Sequence, residues 1–108
     1  KETYVKNDKS LLVKNIVNLY NENFPELASV AKITPTRKSR LLKIIGDKFT
    51  VNNNPVSFKT IDEWQGLFDW IKGSDWLMGR SSDWQLTFDF MVNGSNFVKI
   101  IEGNYDNK

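Results

Sequence analysis

The sequence predicts a mainly α domain, small and compact, of about four to five short helices, and three observations carry that prediction. Two helix-start signatures stand in it: Thr34-Pro35, a capping residue with proline at the first helical position, and Thr60 to Glu63, a T-x-x-E capping box. Apolar residues recur three and four apart in several separate stretches, the spacing of an amphipathic helix. The 108 residues are 40% hydrophobic and 26% charged, the balance of one globular domain.

Residues 1–9 are polar and are expected as a frayed lead-in or the end of a linker, followed by one helical domain over 10–105 and a tail at 106–108. From Ser10 the run SLLVKNIVNLYNENF turns helical. Val13, Val17, Tyr20 and Phe24 share one stripe and Leu12, Ile16 and Leu19 a neighbouring one, the wide apolar face of a helix packed on two sides. Ser10 or Asp8 is the expected cap, and Pro25 stops the helix. The second helix opens at Thr34-Pro35 and ends at Gly46. Leu41, Leu42, Ile44 and Ile45 supply its core contacts, while Thr36, Ser39, Arg40 and Lys43 share the opposite side. Across residues 48–58, Phe49, Val51, Val56 and Phe58 alternate around NNNP. Either a short β-hairpin or a loop tethered by its aromatics fits that pattern.

The third helix starts at the Thr60 capping box and places Trp64, Leu67, Phe68 and Ile71 on one stripe, with Trp70 on the flank and Gly73 at the end. Ser74 caps a further short turn holding Trp76, Leu77 and Met78 before Gly79. Asp83-Trp84 opens a segment containing Leu86, Phe88, Phe90, Met91 and Val92, expected as a short helix because FMV breaks strand alternation. Asn96 is expected to cap a last turn, stopped by Gly103.

Composition excludes several chemistries. Without cysteine there is no disulfide, zinc–thiolate site or thiol nucleophile; without histidine the usual general base and commonest metal ligand are gone. Asp62, Glu63, Asp69, Asp75, Asp83 and Asp89 include no pair of diagnostic spacing, and Ser74, Ser81 and Ser82 have no histidine to activate them. GDKF is no phosphate loop, and the sequon at Asn93 is read as chance in a chain rich in Asn and Ser. The expectation is a protein that is not an enzyme, with no catalytic residue, cofactor, metal or small-molecule substrate. A carboxylate- or metal-dependent hydrolase is the remote alternative. No apolar run approaches the roughly 20 residues of a membrane span. The N-terminal KETYVKNDKS lacks the apolar centre of a signal peptide, so no membrane role and a cytoplasmic location are expected.

Charge and aromatics mark the candidate surface. Residues 1–50 hold ten Lys or Arg against five acids, while 51–108 hold five against eight, so the chain is basic in one half and acidic in the other. Arg37, Lys38 and Arg40 stand in the first turns of the second helix. Exposed cations near that end are disfavoured by about 0.3–1 kcal/mol each. Ion pairs with the acidic half would offset this, and so would a phosphate backbone. Lys32 and Lys43 extend the cluster. All four tryptophans fall between 64 and 84; Trp64 reads as core, while Trp76 and Trp84 flank the Gly79-Arg80 turn and have the better claim to exposure. An exposed tryptophan stacks a nucleobase for roughly 1–3 kcal/mol, or anchors a protein interface. The candidate binding residues are Lys32, Arg37, Lys38, Arg40, Lys43, Trp76 and Arg80.

The order of motifs resembles a known module. Tyr20 and Asn21 precede Pro25, and a basic helix with Arg37 and Arg40 three apart follows. A closing block holds Ser74, Asp75, Trp76, Leu77 and Gly79, then Trp84, then Phe88, Asp89 and Phe90. It ends with Asn96, Phe97, Lys99, Ile100, Glu102, Gly103 and Tyr105. This pattern, over about residues 12–105, resembles the C-terminal domain of replication proteins from bacteriophages and other mobile elements, of the replisome-organiser or helicase-loader type. NNNP alone falls outside it. The resemblance implies a non-catalytic module of a replication initiation protein that contacts DNA, single- or double-stranded, and a replicative helicase or helicase loader. A pure protein-interaction domain is the alternative. Since such proteins usually carry a winged-helix DNA-binding domain ahead of a linker, it also implies a C-terminal fragment of a longer chain.

Overall fold

Helix boundaries follow the local capping chemistry, with three departures from expectation. The structure, a computed structural model, describes residues 2–105, with side chains from Lys9 onward. Its elements are α1 (Glu2–Asn23), α2 (Pro35–Gly46), β1 (Phe49–Val51), β2 (Asn54–Val56), α3 (Ile61–Lys72), α4 (Asp75–Met78), α5 (Phe88–Val92) and α6 (Gly94–Ile101). The protein is thus a small, mainly α domain with one short hairpin.

The departures have physical reasons. First, α1 begins at Glu2, not near Ser10; the lead-in expected over residues 1–9 contains no glycine or proline to stop a helix, so residues 2–9 continue it. Second, α5 starts at Phe88 instead of Asp83, because Thr87 supplies the cap: its hydroxyl accepts the Phe90 N–H at 3.2 Å. Leu86 is held before it by its N–H bond to the Leu77 carbonyl at 2.9 Å. Third, α6 is capped by Asn93, whose side-chain oxygen accepts the Asn96 N–H at 3.3 Å. That earlier start adds a turn and places Phe97, Ile100 and Ile101 on one buried face. The tail expected at 106–108 lies outside the described residues.

The hairpin is the form taken by residues 49–56. Phe49 pairs with Val56, Thr50 with Pro55 and Val51 with Asn54, and the two loop residues Asn52 and Asn53 take φ of 54° and 67°. Two consecutive positive φ angles are the mark of a tight I′-type turn, which asparagine tolerates better than most residues.

One core unites the helices. α1 packs on α2 and α3, α2 on α5, α3 on α4, and α5 on α6. Through the middle runs a chain of aromatic contacts. Tyr20 meets Phe24, Phe68 and Phe88 at 5.0, 5.8 and 5.2 Å, and Trp64 continues from Phe68 to Phe97 and Phe58 at 6.0, 5.8 and 5.7 Å. The Trp64 indole N–H, fully buried, donates to the Phe58 carbonyl at 2.9 Å, so the ring brings no unsatisfied polar group into the core.

The SDWLMG turn closes the other end. The buried Ser74 hydroxyl accepts the Leu77 N–H at 3.2 Å and donates to the Tyr105 carbonyl, tying the chain's last described residue to the α3–α4 junction. Gly79 then takes φ 79°; its N–H bonds the Trp76 carbonyl and the Arg80 N–H bonds the Asp75 carbonyl at 2.8 Å. This pair of bonds is a Schellman ending, which needs a left-handed residue. Gly103, at φ 83°, ends α6 in the same way.

Candidate nucleic-acid interface

Thr34 positions the candidate site. Its hydroxyl accepts the Arg37 N–H at 3.2 Å, and Pro35 presets the first helical turn of α2. Upstream, Asn21 fastens the approaching chain to α1. Its side-chain oxygen accepts the Val30 N–H at 2.8 Å and its amide donates to the Val30 carbonyl at 3.0 Å. The direction in which α2 leaves is therefore set by two side-chain clamps.

Arg37 is engaged within the fold. Its Nε and Nη2 donate to Asp89 Oδ1 and Oδ2 at 2.9 and 3.0 Å, and its Nη1 donates to the Lys32 carbonyl at 2.9 Å. Asp89 lies in the first turn of α5, where an anion is favoured, and it neutralises the cation that the start of α2 disfavours. The hydrogen bond from Arg37 holds the Asp89 carboxyl below the usual range against its burial, with the charges of Arg37 and Arg40 adding to the effect. The same bond raises the Arg37 guanidinium. Of the two offsets left open by the sequence, Arg37 uses the ion pair.

Arg80 is engaged too. Its Nε donates to Asp75 Oδ1 at 2.7 Å and its Nη2 to the Lys72 carbonyl at 2.8 Å, joining the end of α3 to the start of α4. Trp76 beside it stacks on Trp84 at 4.1 Å and 13° and on Tyr105 at 4.7 Å and 19°. Its ring faces are taken by its own chain, so Trp76 closes the C-terminal segment and offers no free platform for a base. The most exposed tryptophan is Trp70, at 42%, which sequence reasoning leaves on a helix flank.

The remaining cations are different. Lys32, Lys38, Arg40 and Lys43 are exposed and enter no ion pair among the described residues. Arg40 and Lys43, three residues apart, line a hollow of about 310 Å³ together with Asp47, Phe49 and Gly94, the first residue of α6. Lys38 points elsewhere, since two residues of helix turn the direction by about 200° from Arg40. The seven candidates therefore do not form one patch: Arg40 and Lys43 come together, Lys32 and Lys38 do not line their hollow, and Arg37, Arg80 and Trp76 hold the fold.

Gly94 and Asp47 are the site neighbours that sequence reasoning misses. The available signal is Asn93, whose capping role places an α6 start against α2. Among the described residues no group of three acidic side chains converges in a way that could hold a metal ion, and no helix is long and apolar enough to cross a membrane. No protein-family model matches the chain, and no curated protein and no solved structure is found similar to it.

Proposed function

We propose that this chain is a non-catalytic module of a phage or mobile-element DNA replication initiation protein, working in the cytoplasm. In this reading the Arg40–Lys43 side of α2 tracks a phosphate backbone, while other surfaces serve a replicative helicase or its loader. One observation supports it above the rest. Arg37 and Arg80 are held by acids of the same chain, whereas Arg40 and Lys43 are left exposed, adjacent and outside any ion pair among the described residues. The start of α6 at Gly94 borders the same hollow, and a helix start favours an anion. The chain is read as non-catalytic because it has neither histidine nor cysteine to act as base or nucleophile.

The test is a fluorescence-anisotropy titration of labelled single- and double-stranded oligonucleotides. With three or four phosphate contacts, affinity should fall roughly 40- to 150-fold for the duplex, and roughly 20- to 50-fold for the single strand, between about 50 and 200 mM salt. No binding at the lower salt would sink the DNA reading and leave a pure protein-interaction domain.

A further inference from the structure

The hairpin stands opposite α3 with a groove between them. Pro55, Val56 and Phe58 face Gly66, Leu67 and Trp70 across an apolar groove of about 660 Å³. A second hollow of about 390 Å³, lined by Leu12 of α1 and by Leu42 and Ile45 of α2, adjoins it across Lys59, which lines both. The Lys59 ammonium donates to the Ile45 carbonyl at 2.7 Å and keeps that divider in place.

Two features of the groove favour an occupant. Gly66 sits in the middle of α3, where glycine destabilises a helix relative to alanine, yet a Cβ built there would meet nothing within 4 Å. Its missing side chain leaves open space on the groove wall, next to a tryptophan that is 42% exposed. The rim, moreover, is mostly basic. Lys48 and Lys9 enter no ion pair among the described residues, and Lys59 adds a third cation. Glu63 is the rim's acid, and it already accepts the Lys59 N–H at 2.7 Å, the Thr60 N–H at 3.0 Å and the Ser57 hydroxyl at 3.1 Å.

We propose that this groove docks an acidic amphipathic segment of a partner protein. The segment's apolar residues fill the trough beside Gly66 and Trp70, and its carboxylates meet Lys48, Lys59 and Lys9. Helix-in-groove recognition combines just these parts, an apolar trough with an aromatic anchor and a complementary charged rim. None of the residues around this groove lines the Arg40–Lys43 hollow, so the two surfaces are tested separately.

The experiment uses fluorescein-labelled amphipathic peptides of about 16 residues, with leucines on one face and either glutamates or lysines on the other, titrated against the full chain. The glutamate peptide should bind roughly tenfold or more tighter than its lysine counterpart. Gly66→Leu should abolish that binding while the far-ultraviolet circular dichroism and melting temperature hold or rise, and Lys48→Glu should weaken it several-fold. The Arg40→Ala/Lys43→Ala pair should leave it unchanged. Equal affinity for the two peptides, no binding of either, or full binding by Gly66→Leu would overturn the proposal. Displacement of the peptide by an oligonucleotide, lost in Gly66→Leu, would reassign the groove to nucleic acid. A dimer in sedimentation that Gly66→Leu dissociates would reassign it to a second copy of this chain.

Discussion

Tyr20 carries a buried hydroxyl with no hydrogen-bond partner among the described residues. Burial, and secondarily the charge of Asp89, pushes its phenol above the ordinary range. Because an unsatisfied buried polar group costs about 1–3 kcal/mol, Tyr20→Phe should be neutral or stabilise the domain by up to about 1 kcal/mol in urea titrations. The sign of its pH dependence follows. A raised folded value means that stability is fully present below about pH 10, the unfolded value, and is lost as pH rises further. Tyr20→Phe should remove that part of alkaline destabilisation. Asp89 behaves in the opposite sense. Its folded value is depressed, so its contribution is present above about pH 4 and disappears as pH falls through the folded value. Its side chain is 55% exposed, which leaves the bidentate pair with Arg37 worth roughly 0.2–1 kcal/mol after solvent screening. Arg37→Ala should lose that much at neutral pH on account of the pair, and this share should vanish in strong acid while that of the bond to the Lys32 carbonyl persists, as melting curves along a pH series would read.

At the scale of elements, the caps were legible because they are local. Thr34-Pro35 and the Thr60–Glu63 box each act within one turn, and both form as written. The Thr87 and Asn93 caps are not legible in the same way, because each competes with another capping residue a few positions away, and the packing of Phe88 and Phe97 selects between them. The candidate site was less legible still. Whether Arg37 or Arg40 stays available depends on Asp89, 52 residues further along than Arg37. Likewise, Trp70 and not Trp76 is the exposed tryptophan because Tyr105 and Trp84 return to cover Trp76. The α4 ending yields a sharp test. A Cβ at Gly79 would lie 2.3 Å from Gln85 Cγ, and its φ of 79° disfavours any other residue. Gly79→Ala should therefore cost more than the roughly 1–2 kcal/mol of left-handed strain alone. Adding Gln85→Ala should recover the excess and no more, as measured by chemical denaturation.

Across the whole molecule, α1, α3 and α6 converge on a single core, in which Phe97 is fully buried against Phe49, Phe58 and Trp64. Phe97→Ala should lose about 3–5 kcal/mol, a large share of the stability of a domain this size. Leu11→Ala, at a position 55% exposed, should stay within about 0.5 kcal/mol of the parent in the same urea series. The uneven charge of the two chain halves is partly consumed by this fold, since Asp89 and Asp75 draw in Arg37 and Arg80. Among the cations left outward and outside any ion pair in the described residues, Arg40 and Lys43 line one hollow together, and the functional reading rests on that pair. The most direct measurement compares the salt dependence of oligonucleotide affinity for the parent, Arg40→Ala/Lys43→Ala and Arg80→Ala. The account predicts a slope of log K against log salt that shrinks by about two in the double variant, uniformly across sequences, and is unchanged in Arg80→Ala. Equal slopes in all three would contradict it.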